Sequence, residues 1–371
     1  MVIGFLSHSD MSIYHFRLPI MRALKALGHE VIAIAPKGEY SSLIGTEFRL
    51  VHYDIDKASL NPLKVFKDTA NLARLLGGLN LDMLQTSAHK SNVFGTLAAK
   101  QAGVKCVINL VEGLGSFYIS NTLKSRLIRV AIEGLYFITF RLSRATIFVN
   151  DSDPNYMLSR HLIQKNKIKR IKSVGVDASE FDPQKVTPYD FKSDKKIVLM
   201  IARALKDKGV MEFYEAAKIL SGRKDCEFVF VGSSDLGNTS SLDEDFLRSP
   251  YVRHIGWSDK VANMLSSCYL FTLPSYKEGF PRTVLEAMSM AKPLVVSDCD
   301  GCKEAITDGL HGLICKARDA NDLAIKISKL LDDEKEATKM GQNARNTVLK
   351  HYNQPIITAK YIEFYKEIAS V

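Results

Sequence analysis

Two glutamates stand eight positions apart in Glu278-Gly-Phe-Pro-Arg-Thr-Val-Leu-Glu286. A carboxylate accepts hydrogen bonds through two oxygens, so each of them suits a pair of adjacent sugar hydroxyls. Pro281 fits the first turn of a helix, which puts Glu286 on that helix and Glu278 just before it. The unpaired N–H groups of that first turn form an anion site, and Gly279 lets a ligand come close to the backbone. Taken singly, both glutamates also read as exposed helix-end residues favoured by the macrodipole. Upstream, Arg203 and Lys208 are two cations five residues apart in Ala202-Arg-Ala-Leu-Lys-Asp-Lys208-Gly209. A planar fork and a point charge at that spacing can clamp a diphosphate, although the bare spacing also describes solvated loop cations. His89, in Thr86-Ser-Ala-His89-Lys-Ser-Asn92, falls where a helix begins and a neutral imidazole is favoured. An isolated histidine there is as readily structural.

These residues need rigid elements to hold them. Apolar runs alternate with helical periodicity along the whole chain. In the first half, strands are expected at residues 2–6, 30–35, 83–86, 105–110, 147–150 and 168–174, with a polar loop at 7–14 and helices at 16–27 and 91–102. A second series places strands at 196–201, 227–231, 252–255, 269–273 and 293–297, with a helix at 210–220. Strand–helix alternation implies a parallel sheet in each half. Arg203 and Lys208 then follow the first strand of the second series, and Glu278 follows its fourth. The expected division is a first domain at 1–176 and a second at 177–353. The last helix, in residues 354–371, is expected to pack back on the first domain. Two doubly wound domains facing each other leave a cleft at the carboxyl ends of their strands, where ligands bind.

The 371 residues carry a net charge of +9 with 46% apolar residues, ordinary values for a globular enzyme-sized chain. The charge is uneven: residues 1–180 hold 23 basic and 14 acidic side chains, whereas 181–371 hold 27 of each. An anionic partner of the first half is implied. No recognition module for nucleic acid accompanies the charge. Six scattered cysteines suggest buried thiols rather than a disulfide framework. Without a long apolar run or a signal peptide, a cytoplasmic location is expected. Between Leu123 and Arg144, apolar residues interleave with Lys124, Arg126, Arg129, Arg141 and Arg144. This pattern suits either a core helix with snorkelling basic ends or a surface resting on an anionic membrane. The latter would make the protein peripheral on the inner face of the cell membrane.

In combination, the Glu278/Glu286 pair, Arg203, Lys208 and the turns around Gly28, Gly301 and Gly312 resemble the retaining glycosyltransferases of family 4. The resemblance spans the chain and implies the GT-B fold: α/β, with two Rossmann-like domains facing each other across a cleft. The implied roles are Arg203 and Lys208 on the donor diphosphate, Glu286 on the ribose, and Glu278 on the transferred sugar. Gly279, Phe280, Pro281, Arg282, Thr283 and Val284 would line sugar and diphosphate. Gly256 and Trp257 would frame the base, with Trp257 alternatively a structural plug. His89 would reach the donor sugar, assisted by Asn92 on the acceptor side. The first loop departs from the family: Ser9, Asp10 and Ser12 stand where many members carry a glycine pair. His15 and Arg17 beside it are candidates for an acceptor phosphate.

No metal is required by this reading. Asp298-Cys-Asp300 imitates a metal-binding spacing, and Cys299-x-x-Cys302 lacks a second half for zinc. Residues 12–17, 58–62, 88–92, 111–118 and 273–281 resemble, within the family, the N-acetylgalactosaminyltransferases of bacterial protein N-glycosylation. That resemblance implies UDP-N-acetylgalactosamine (UDP-GalNAc) as donor and undecaprenyl-diphosphate-linked diacetylbacillosamine as acceptor, joined α-1,3, and makes Glu112 an acceptor-side ligand. Rival readings are a UDP-sugar epimerase or hydrolase of the same fold, or a family member with another UDP-sugar and lipid-linked acceptor.

Overall fold

The computed structural model describes residues 1–54, 62–119, 122–235 and 237–369, so most of the 58–62 segment lies outside it. It divides into two compact units, Met1–Lys172 with Thr358–Val371, and Ser173–Ile357. The chain thus enters the second unit at Ser173 rather than at residue 177, and returns to the first at Thr358, inside the last helix (Gln354–Ala369). Aromatic anchoring explains the return. Tyr365 is buried, stands edge-on to Phe5 and donates its hydroxyl to the Gln85 side chain in the core of the first unit.

The first unit holds seven parallel strands: β1 (Val2–Ser7), β2 (Glu30–Ile34), β3 (Arg49–Val51), β4 (Met83–Ser87), β5 (Cys106–Val111), β6 (Ala145–Phe148) and β7 (Ile168–Arg170). They lie in the order 3-2-1-4-5-6-7. The second unit holds six: β8 (Lys196–Ile201), β9 (Cys226–Val231), β10 (Val252–Ile255), β11 (Leu270–Leu273), β12 (Leu294–Ser297) and β13 (Gly312–Cys315), in the order 10-9-8-11-12-13. Central strands such as Lys-Ile-Val-Leu-Met-Ile of β8 are nearly continuous apolar runs because helices cover both faces of a parallel sheet. In each sheet the order reverses direction at one place, between β1 and β4 and between β8 and β11. The loops after those strands flank the crevice where such sheets bind ligands.

Some local elements differ from expectation. Residues 10–16 form a helix, not a loop, because the Ser9 hydroxyl accepts a hydrogen bond from Ser12 N–H as an N-cap. The stretch after β4 is helical from Ser91, but its first turn, Ser91–Gly95, is a π-helix. The edge strand β7 ends at Arg170, four residues short of the apolar run that suggested it, and β13 was hidden within a Gly-rich turn.

Candidate active site

The crevice of the second unit is built by two loops. After β8 the chain passes through Arg203 and a short turn at Lys206–Lys208 into the helix Val210–Ile219. Gly209 sits at φ 75°, and a Cβ there would lie 2.1 Å from the carbonyl oxygen of Pro274 in the second loop. Only glycine permits that approach, so the loops are locked backbone to backbone. The Tyr276 N–H donates to the Asp207 carbonyl at 2.9 Å, a second tie.

Held this way, the Lys208 ammonium lies 2.6 Å from Glu278 Oε1, and the Ser275 hydroxyl donates to the same oxygen at 2.7 Å. Both partners of the ion pair are largely shielded from solvent. Arg203 is more open and pairs with Asp235 at 2.9 Å. The helix Arg282–Ser289 starts directly after Pro281, which stands as its N-cap in extended backbone rather than within the first turn. Glu286 is buried on that helix and accepts from Arg282 Nε at 2.7 Å. Burial pushes its carboxyl up and Arg282 opposes that shift. Arg282 therefore orients Glu286, a use of its side chain that a backbone role alone does not describe. Gly279, Pro281 and Val284 are buried beside it, Thr283 is half-buried, and Phe280 packs on Tyr352 with ring centroids 5.3 Å apart.

Trp257 is 72% exposed, which removes the structural-plug alternative. Its backbone N–H donates to Ser233 Oγ at 2.9 Å, and the same oxygen is 3.9 Å from a Cβ built on Gly256, leaving room above that glycine. Sequence reasoning missed Ser275, Asp235 and Ser233. Ser275 is three residues before Glu278 and was within reach of local reading; the other two become neighbours only through strand order.

In the first unit His89 follows Ala88, which takes the left-handed conformation at φ 73° and turns the chain sharply. Its Nδ1 is 2.5 Å from the hydroxyl of Tyr136, a fully buried residue stacked on Phe140. Burial lowers the His89 pKa to about 4, against smaller upward effects from the Leu114 and Gly113 backbone. The ring is neutral at neutral pH and braces residues 113–115. Asn92 does not serve an acceptor. It is fully buried, its oxygen accepts from Thr86 at 2.7 Å and its amide donates to the Leu110 carbonyl at 2.8 Å. A short amide one turn into a helix was drawn into the sheet-facing core instead of the crevice. Arg17 is 1% exposed and ion-paired to Glu112 through one terminal guanidinium nitrogen, while its Nε and other terminal nitrogen are buried without a hydrogen-bond partner and Glu112 stays partly exposed, so two expected acceptor ligands come together without saturating the guanidinium. A buried guanidinium requires such a partner. His15, expected beside an acceptor phosphate, is half-buried and packs edge-on to Tyr14 and Tyr40.

Comparison with known proteins fits this architecture. Residues 182–347 match the family model described as glycosyl transferases group 1, and residues 3–151 match glycosyl transferase 4-like. The chain is 45% identical, over 99% of both lengths, to the N,N'-diacetylbacillosaminyl-diphospho-undecaprenol α-1,3-N-acetylgalactosaminyltransferase of Campylobacter jejuni. The chain belongs to the family 4 glycosyltransferases. Another family 4 relative, at 25% identity over 94% of both chains, is the UDP-Gal:α-D-GlcNAc-diphosphoundecaprenol α-1,3-galactosyltransferase of Escherichia coli. Solved structures share the GT-B fold. A Rickettsia africae glycosyltransferase superimposes with a TM-score of 0.79 at 22% identity, covering 99% of this chain and 98% of that one. Anabaena HepE in complex with UDP gives 0.80 at 16% identity, covering 99% and 100%. As a family 4 enzyme, the chain has its crevice loops where a parallel sheet offers a nucleotide site. Among the described residues there is no group of three or more His, Cys, Asp or Glu suited to a metal, and no helix long and apolar enough to cross a membrane.

Proposed function

We propose that this glycosyltransferase moves N-acetylgalactosamine from UDP-GalNAc to undecaprenyl-diphosphate-linked diacetylbacillosamine, forming an α-1,3 bond with retention of configuration. The full-length similarity to the Campylobacter jejuni enzyme supports the substrates. The observation that carries the chemistry is the Lys208–Glu278–Ser275 cluster. It sets a cation beside a carboxylate suited to sugar hydroxyls, hence at the junction of sugar and diphosphate. Negative charge grows on the leaving diphosphate as its bond to C1 breaks, and a fixed ammonium there stabilises the transition state more than the ground state. Arg203 supports the same diphosphate. Glu286, oriented by Arg282, takes the ribose diol, and residues 279–284 line the sugar and phosphates, with Gly256 and Trp257 beside the base.

On this reading the acceptor oxygen bonds to C1 on the face the diphosphate leaves, and the departing phosphate oxygen takes the acceptor proton. Glu278 is a ligand, not a nucleophile, and the cations do the work a metal does elsewhere. His89, neutral and engaged by Tyr136, positions the 113–115 loop and does not exchange protons. The test is a panel of UDP-GalNAc, UDP-galactose and UDP-N-acetylglucosamine with the lipid-linked acceptor in EDTA. Transfer from UDP-GalNAc with an α-configured product is expected. Transfer that requires added manganese overturns the metal-independent route, and UDP-sugar consumption without acceptor favours an epimerase or hydrolase.

The helix Leu123–Leu142 supports a peripheral membrane position. Leu123, Leu127, Val130, Phe137 and Ile138 are exposed along it, among Lys124, Arg126, Arg129 and Arg141. Arg141 lies over the Phe137 ring, an arrangement that keeps charge next to apolar surface. Each basic group near an anionic leaflet contributes about 1 kcal/mol, which suits an enzyme whose acceptor is a lipid.

A further inference from the structure

The turn that backs Glu278 is bounded by two thiols. β12 ends at Ser297, and the chain continues Asp298-Cys299-Asp300-Gly301-Cys302 into a short helical turn, in which Lys303 N–H donates to the Cys299 carbonyl at 3.1 Å. The first and last residues of a four-residue turn have Cα atoms within about 7 Å, the upper end of the Cα separation a disulfide bridges. Both cysteines are free. The two residues between them are the ones that touch the donor glutamate. Asp300 accepts from Glu278 N–H through its carbonyl at 3.1 Å. Gly301, at φ 83°, lies so close that a Cβ would be 2.6 Å from the carbonyl oxygens of both Glu278 and Gly279.

We propose that Cys299 and Cys302 are a reactive dithiol that small disulfides convert to an intramolecular disulfide, and that closing this ring moves Asp300 and Gly301 against Glu278 and slows sugar transfer. The order of events follows from exposure: Cys299 is 7% exposed and Cys302 not at all, so the first attacks and the second resolves. The Cys299 thiolate attacks one sulfur of the external disulfide and expels a thiolate, leaving a mixed disulfide. Cys302 gives its proton to that thiolate, and its sulfur then attacks the Cys299 sulfur and expels the second thiolate. Two protein thiols are oxidised and one external disulfide is reduced to two thiols. The neighbouring Cys302 thiol holds Cys299 below the ordinary range, while Cys299 and burial raise Cys302 well above it, in line with the order that exposure sets. The dithiol chemistry stands by itself, whereas its effect on transfer rests on the donor-site reading of Glu278.

The experiment incubates the native, reduced full chain with glutathione disulfide, quenches by alkylation and maps cysteines by mass spectrometry, with transfer from UDP-GalNAc measured in parallel. The expected result is a Cys299–Cys302 bond formed before any modification of Cys226, Cys268 or Cys315, and a loss of kcat/KM of about 10- to 100-fold, the cost of misplacing a ligand by an ångström, restored by dithiothreitol. Cys299→Ser keeps its activity in glutathione disulfide. Cys299 and Cys302 both remaining alkylatable as thiols overturns the dithiol assignment. A complete disulfide with unchanged transfer overturns the coupling to Glu278. If the reduced protein transfers no sugar, the donor-site reading has failed, and the mass map still decides whether the dithiol reacts.

Discussion

The neutral, half-buried His89 makes a quantitative prediction about pH. An unfolded histidine titrates near 6.5, and burial against Tyr136 and the 113–115 loop lowers His89 to about 4. Below the unfolded value the unfolded chain binds a proton that the native ring refuses. His89 therefore contributes stability that is fully present above about pH 6.5 and is lost as the pH falls toward 4. Integrating the proton binding, the loss between about pH 7.5 and pH 5 is about 2 kcal/mol. The perturbation is His89→Gln, which retains a polar side chain without titrating. Urea denaturation followed by circular dichroism, at several pH values in that interval, gives the two stability curves. Wild type should lose about 2 kcal/mol more than the variant over the range. Parallel curves would refute the burial of an uncharged imidazole, and a variant that loses more than wild type would mean that the ring is charged and paired.

Four further outcomes follow from the geometry. Glu286→Ala should weaken UDP binding by about 10- to 100-fold in calorimetry, the worth of hydrogen bonds to a charged group, whereas Glu278→Ala chiefly lowers the transfer rate. Equal UDP affinity in wild type and Glu286→Ala removes the ribose assignment. Asn92→Ala should cost about 1–3 kcal/mol of stability with UDP affinity unchanged, because it removes the buried amide that donates to the Leu110 carbonyl and leaves the Thr86 hydroxyl with Asn109 as its other acceptor. Gly209→Ala should lower the melting temperature and abolish transfer: the left-handed conformation alone costs about 1–2 kcal/mol, and the new methyl collides with Pro274. A wild-type melting temperature and rate would contradict the loop packing. Leu127→Glu should release the protein from vesicles rich in anionic lipid in a flotation assay while leaving UDP binding intact; undiminished flotation would exclude the Leu123–Leu142 face as the docking surface.

Much of the second unit's crevice was legible because its signals are local. Pro281 starts a helix wherever the chain lies, the apolar run at 196–201 is a strand in any parallel sheet, and Glu278 and Glu286 are separated by a fixed length of one loop and helix. The first unit was less legible for the same reason in reverse. Arg17 and Glu112, 95 positions apart, read as separate acceptor ligands, yet they form one ion pair with the guanidinium buried. Asn92 was read beside His89, but the helical turn sends the two side chains in different directions, one to the core and one toward the 113–115 loop.

The sequence by itself determined the alternation of strands and helices, the two units, the family and the segment that carries the paired glutamates, since each depends on residue type and short spacing. The tertiary structure alone decided which charges meet. Lys208 and Glu278 are 70 residues apart, and Gly301 reaches Glu278 from a third loop. Those contacts follow from the strand order 10-9-8-11-12-13, which sets the ends of β8, β11 and β12 side by side. Local periodicity is the same for any order of strands, so only the folded sheet could specify the neighbours.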